Sequence, residues 1–381
     1  MKIWHIKTIV ATVTAVILLI LFIIIILWQQ GIIKPATDNE DLSQFLDLTE
    51  DEFLELFHLP EINDPKEKMK RVRVLKEHQQ AVLENNQLYL AMKRTWFEGI
   101  NEFSDIPDDE FIATHTGLIE DPDQFNNETQ PVLEESVMSN LSASYDSVSL
   151  GHVSPVKNQG GCGSSVAFAT MALVETCFEK TVGIFGDYSE QHLLDCAGAR
   201  GVVGCHGSWA SGYTSWLTTN KPKLASEKSY PYTAREGTCR TDYEELHQGA
   251  KISGSYRGRG NEETLKALVY QHGAVLVAAA VNANFTRYRG GIFGGCYESD
   301  KVNQAVVVVG YGSENGLDYW LVKNSWGPGW GDQGYIKIMR GVNMCGIGTT
   351  MVTLSCEAVE EENNPGIVRP WPAMLCIISI G

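Results

Sequence analysis

The stretch NQGGCGSSVAF, Asn158 to Phe168, sets three glycines and two serines directly ahead of an apolar run that continues, free of glycine and proline, to Thr181. The run reads as a helix that would begin about Ser165, and a helix N-terminus favours negative charge. Further along, GAVLVAAAV (273–281), QAVVVVGYG (304–312), YWLVKNSW (319–326) and GYIKIM (334–339) are short apolar segments that read as strands. A helix followed by strands predicts an α+β domain, and no internal repeat is found.

The chain has 381 residues with 44% hydrophobic composition and 36 glycines, a globular and loop-rich make-up. Its net charge of -17 argues against nucleic acid as a partner. The acidity is uneven: residues 29–140 hold 9 Lys/Arg against 25 Asp/Glu, and residues 141–381 hold 19 against 22. Thr8 to Trp28 is 21 residues without a charge, enough as a helix to cross the roughly 30 Å core of a bilayer. A cleavable signal peptide would have a shorter apolar region and a small-residue cleavage site. The expectation is a signal anchor at 8–28 with residues 1–7 as a cytoplasmic tail. Lys2 and Lys7 precede the span and acidic chain follows it, so the positive-inside rule predicts a single-pass type II membrane protein with its C-terminal part luminal or extracellular, in an endomembrane or lysosome-like compartment or at the cell surface. That location would favour disulfides among the nine cysteines and make sequons at Asn127, Asn140 and Asn284 usable.

Residues 42–117 are charged and helical in pattern, with Met69, Val72, Leu75 and Val82 as apolar positions of an amphipathic helix. Residues 118–140 are acidic and polar and read as a linker, and 357–381 as a C-terminal tail too short in apolar residues to span a membrane.

SPVKNQGGCGS (154–164), YSEQHLLDC (188–196), SYPYTAREGTC (229–239), YRGGIF (288–293), VVVVGYG (306–312) and VKNSWGPGWGDQGYI (322–336) follow one another in an order that resembles the papain family, and within it the cathepsin L-like peptidases. The resemblance covers about Tyr145 to Ser355 and implies a two-lobed fold over 141–356, a helical lobe beside a sheet or barrel lobe. Upstream, Glu67, Arg71, Leu75, His78, Val82 and Asn86 stand at the spacing of the helical ladder of family propeptides, and GINEFSD (99–105) is similar to a second propeptide element. Residues 42–117 thus look like an inhibitory propeptide; a folding chaperone or a permanent lid would share the pattern.

The same resemblance assigns roles and shows departures from them. The nucleophile signature Cys-Gly-Ser-Cys reads Cys162-Gly163-Ser164-Ser165 here, with Val166 in place of a tryptophan. The base position, 139 residues downstream of Ser165, is Gln304 where the family has histidine. A hydroxyl needs a strong base to become a nucleophile, and an amide does not accept a proton at physiological pH. Gln159 matches the oxyanion-hole glutamine, Asn324 the residue that orients the histidine and Trp326 the indole that shields it. In the cleft wall Gly207 is kept, Ser208 replaces a glycine whose backbone pairs with extended peptide, and His206 is the nearest alternative base. The resemblance pairs Cys162 with Cys205, Cys196 with Cys239 and Cys296 with Cys345. Cys177 is left as a buried helix residue, and Cys356 and Cys376 could pair together or link chains.

No cofactor and no metal site is expected. The reading is a peptidase homologue, inactive because of Ser165 and Gln304, that binds a peptide, a propeptide or a protease inhibitor. The alternative is a papain-fold hydrolase that uses Ser165 with an unidentified base.

Overall fold

The computed structural model describes residues 45–121, 141–199, 201–246 and 249–359. The span at 8–28, the sequons at Asn127 and Asn140, and Cys376 lie outside them. Among the described residues no helix is long and apolar enough to cross a membrane. The propeptide-like segment, for brevity the prosegment, supplies α1 (Glu50–Leu56), α2 (Pro65–Leu90), β1 (Trp96–Glu98) and α3 (Asp108–His115). The body supplies β2 (Tyr145–Asp146), α4 (Ser165–Val182), α5 (Glu190–Cys196), α6 (Gly212–Asn220), β3 (Ala250–Gly258), α7 (Glu262–His272), β4 (Val275–Ala279), α8 (Ala283–Thr286), β5 (Tyr288–Phe293), β6 (Gln304–Glu314), β7 (Leu317–Lys323), β8 (Tyr335–Met339) and β9 (Met351–Ala358). The expected papain-like α+β architecture is present, and β9 carries the body two residues past the expected boundary at Cys356.

α4 is buried on every side from Ser165 to Phe178, which explains an apolar run too continuous for a surface helix. It ends where Gly183 adopts φ 72°, a left-handed cap that glycine takes without steric cost. Met171, Val174 and Phe178 pack with Leu193 of α5, Tyr213 and Leu217 of α6, and Leu276, Val307 and Val352 of the sheet. The alternate sheet residues Val275, Val277, Val306 and Val308 face a second core built on Leu265, Phe285, Trp320 and Trp330. Strands buried on both faces need no polar alternation. The strand order is β1-β5-β8-β7-β6-β4-β9-β3, with β2 on β6.

The prosegment joins this sheet by adding β1 to β5, Trp96 opposite Gly291 and Glu98 opposite Tyr288. α2 buries Val74, Leu75, His78, Val82 and Asn86, the last four of which are ladder residues. Leu75 and Val82 pack with Phe53, Leu54 and Ile100, and the Asn86 amide holds both the N–H and the C=O of Glu98 at 2.9 Å. Met69, expected on the apolar face, points outward and is 75% exposed, because α1 and residues 96–105 cover the ladder face instead.

The three disulfides implied by the resemblance, Cys162–Cys205, Cys196–Cys239 and Cys296–Cys345, are formed. A fourth corrects the expectation for the remaining cysteines: Cys177 is not a free helix residue but is bonded to Cys356, tying α4 to β9. A disulfide contributes typically about 2–4 kcal/mol by restricting the unfolded chain, and a loop as long as the 179 residues here stands at the upper end, about 5 kcal/mol in the chain-entropy relation.

Candidate active site

α4 points its N-terminus at the start of β6. Ser165 is fully buried there, and its Oγ accepts a hydrogen bond from the Ala305 N–H at 3.3 Å. Gln304, also fully buried, turns its amide elsewhere: Nε2 donates to Asn324 Oδ1 at 3.2 Å and to Gln159 Oε1 at 3.3 Å. Ser325 donates to the same two oxygens, through Oγ to Gln159 Oε1 at 2.7 Å and through N–H to Asn324 Oδ1 at 2.9 Å. Gln304 Oε1 and Asn324 Nδ2 are buried without hydrogen-bond partners among the described residues. Ser165, Gln304, Gln159 and Asn324 therefore meet at one place, held by a polar amide network that contains no basic group. His206 lies on a 3-10 turn, Gly204–His206, and is not a partner of the Ser165 hydroxyl.

The prosegment covers this network. The His115 carbonyl accepts from Gln159 Nε2 at 3.1 Å and from Trp326 Nε1 at 2.9 Å, so both donors that resemblance places beside a reacting group are taken by backbone. Trp326 is fully buried and packs edge-on against Phe111 of α3 with centroids 4.9 Å apart. Sequence reasoning missed His115, because a backbone carbonyl leaves no side-chain signature. At Gly117 the two backbones nearly touch: a Cβ there would stand 2.0 Å from the Gly163 carbonyl oxygen. Residues 118–121, counted with the linker from sequence, lie in the cleft because their backbone groups find partners there. Leu118 N–H donates to Asn303 O at 2.9 Å, Ser208 N–H to Gly117 O at 2.9 Å and Ile119 N–H to Ser208 O at 3.1 Å. The serine thus keeps the backbone pairing expected of a glycine, its side chain being buried near Tyr213, whose phenol pKa is raised to about 12 by burial. Gly207 beside it has φ 106° and admits no Cβ, which would meet Gly117 O at 2.9 Å. Val166 is fully buried in the helical-lobe core. The third sequon places Asn284 on α8 with Nδ2 donating to Gly295 O at 3.4 Å.

The His115 ring stacks on Phe111 at 4.6 Å, and burial lowers its pKa from 6.5 to about 4, with Glu110 opposing and Arg71 adding to the shift. Such a displacement is worth on the order of 3 kcal/mol. The released prosegment binds the proton more tightly, so the contribution of a neutral His115 to docking is full above about pH 6.5 and is lost as pH falls toward 4. We predict that His115→Phe, which keeps the stack, removes this acid sensitivity. Superimposable pH profiles of prosegment protease sensitivity for the variant and the native chain would refute the prediction.

A family model described as papain family cysteine protease matches residues 141–355. This chain belongs to the papain family. It is 36% identical over 288 residues to thiol protease aleurain of Arabidopsis thaliana, covering 74% of this chain and 77% of the relative. Among solved structures it is similar to digestive procathepsin L 3 of Tenebrio molitor, with TM-score 0.72, 34% identity, and coverage of 80% of this chain and 97% of that one. It also matches bromelain of Ananas comosus in complex with the E64 inhibitor, with TM-score 0.50, 39% identity, and coverage of 57% and 100%. The procathepsin match extends the likeness from the body to the prosegment.

Proposed function

We propose that this papain-family member is a catalytically inactive peptidase homologue that acts by holding a peptide, a propeptide or a protease inhibitor in its cleft. The observation that carries the reading is the Gln304 amide, bonded to Gln159 and Asn324 where a base would have to stand. Among the described residues the Ser165 hydroxyl is hydrogen-bonded to the Ala305 N–H at 3.3 Å and to no basic side chain, whereas a serine nucleophile needs such a base. The cleft's retained backbone pairing at Ser208 supports an extended peptide as ligand. The E64 complex of bromelain supports the inhibitor version of the same reading.

The test is hydrolysis of a broad fluorogenic peptide library by the full chain, before and after limited proteolysis between Asp121 and Leu141. No turnover is expected in either state. Turnover that vanishes in Ser165→Ala would replace this reading with the Ser165 hydrolase.

The uncharged stretch from Thr8 to Trp28 supports a type II anchor with the papain-like body in a lumen or outside the cell. The intact chain is then expected to stay with membranes through alkaline extraction. Release of a product beginning near Gln29 would instead indicate a cleaved signal.

A further inference from the structure

Past Ile119 the prosegment leaves its backbone pairing with Ser208, and two residues on, the Asp121 carboxylate meets Arg257 Nη2 at 2.6 Å. The pair is largely withdrawn from water, with the side chains 6% and 18% exposed. Arg257 is carried by β3, opposite Val352 of β9, so a regular strand fixes its position. On one side of the pair the body lines the trough with Ala210, Val302 and Val352 together with Ser211 and Thr350, and Leu118 of the prosegment borders the same space. On the other, Asp121 and Arg257 border a cavity of about 290 Å³ that passes Trp209 and Trp216 and reaches the surface at Asn220. A trough with three aliphatic residues and two hydroxyls that ends on an oriented guanidinium has the make-up of a ligand subsite, where few polar groups set orientation and specificity. Arginine matches a carboxylate in shape and charge, an amide in its place would exchange a charge-assisted hydrogen bond for a neutral one, and an ammonium would meet like charge.

We propose that Arg257 makes this end of the cleft a carboxylate-reading subsite, so that the peptide held there carries an acidic side chain where the prosegment carries Asp121. The proposal rests on the cleft being a peptide-binding site, and it names the class of peptide: one with an aliphatic or small residue against Ser208 and an aspartate or glutamate two residues beyond that backbone pairing. The prosegment is then a built-in ligand, with Asp121 standing in for the acid of the partner.

The experiment uses the full chain carrying Asp121→Ala, which removes the carboxylate that Arg257 Nη2 holds at 2.6 Å while leaving Ser165, Gln304 and the Ser208 pairing untouched. N-acetyl-aspartate amide, N-acetyl-asparagine amide and N-acetyl-lysine amide are titrated in ligand-detected NMR. The aspartate probe is expected to bind at least about tenfold more tightly than the asparagine probe. Adding Arg257→Gln should abolish the difference, and adding Arg257→Glu should move the preference to the lysine probe. Where Arg257→Gln fails to fold, Arg257→Lys must retain the acid preference. Equal binding of the acid and amide probes to Asp121→Ala, or an acid preference that survives Arg257→Gln, overturns the subsite and leaves Asp121–Arg257 a clasp of the prosegment only. None of the probes requires hydrolysis. Peptide turnover by the native chain would therefore overturn the inactive reading without touching this one, and loss of charge selectivity would do the reverse.

Discussion

Ser165→Cys combined with Gln304→His is expected to give a peptidase once the prosegment is removed, with a rate on the order of 10³-fold or more above the native chain. Three features make so large a gain reachable with two side chains. A cysteine at 165 would sit at the N-terminus of α4, and a helix N-terminus beside an imidazolium lowers a thiol pKa well below its free value near 8.5. An imidazole at 304 would find its orienting acceptor already in place, since Asn324 Oδ1 now takes the Gln304 N–H at 3.2 Å. It would also remove the orphaned Gln304 Oε1, a buried acceptor of the kind that costs about 1–3 kcal/mol when left unmade. Gln159 remains to stabilise a developing oxyanion, though only after the His115 carbonyl has left its Nε2. Each single variant should stay near background, because a thiol without a base and a base without a strong nucleophile each lack half of the pair. A folded double variant that is silent on the peptide library after prosegment removal would mean that the cleft itself has lost its shape. In that case peptide binding by the native chain would lose its main support.

What could be read from sequence followed from how strongly local chemistry signals structure. The runs that became β4 and β6 are rich in Val and bounded by turn residues, so they read as strands without any knowledge of partners. β5 did not, since YRGGIF carries two glycines that weaken any strand pattern. The structure explains them: a Cβ on Gly290 would stand 2.6 Å from the Phe97 ring, and one on Gly291, at φ 80°, would stand 2.4 Å from Thr95 O. Those glycines serve the docked β1, a three-residue strand too short to show periodicity. The same holds for α2, where the ladder of Glu67 to Asn86 located the buried face and apolar residues alone did not, because polar Asn86 and His78 lie inside while Met69 lies outside. The positions of Ser165, Gln304, Gln159 and Asn324 could be carried over from motifs because each sits in a distinctive local sequence. The Cys177–Cys356 bond spans 179 residues, and pairing across such a distance has no local signature. Nor does the Asp121–Arg257 contact, which only the path of the prosegment through the cleft brings together.

Arg287→Met is expected to loosen the prosegment by about 3 kcal/mol near neutral pH. Glu98 of β1 is completely buried, with Arg287 Nε 3.2 Å from Oε2, Arg94 Nη1 3.2 Å from Oε1 and Asn85 Nδ2 2.9 Å from Oε2. Burial nevertheless raises its pKa above the usual 4.5, outweighing Arg287, Asn85 and Arg94, so the carboxylate is held by its partners at a net cost in desolvation. Deleting one guanidinium leaves that charge under-compensated, and the estimate is kept at the low end for a broken buried pair because Arg94 remains. The sign with pH is fixed by the direction of the shift. A carboxyl whose docked pKa lies above its free value binds protons more readily when docked, so its contribution is full below about 4.5 and is lost as pH rises through the docked pKa. Arg287→Met raises the docked pKa further, and its defect should accordingly be small in acid and large near neutrality. Adding Glu98→Gln should recover more than half of the loss, since a neutral amide needs no counter-charge. Hydrogen exchange at the Gly99 N–H, which donates to the Arg287 carbonyl at 2.9 Å, reads docking directly and depends on the Arg287 backbone, not its side chain. If the single and double variants exchange equally fast, or the single variant's defect is the same at pH 4.5 and 7.5, the ion pair is not what locks the prosegment. The β1–β5 backbone pairing and the Leu75–Val82 face of α2 would then carry the docking instead.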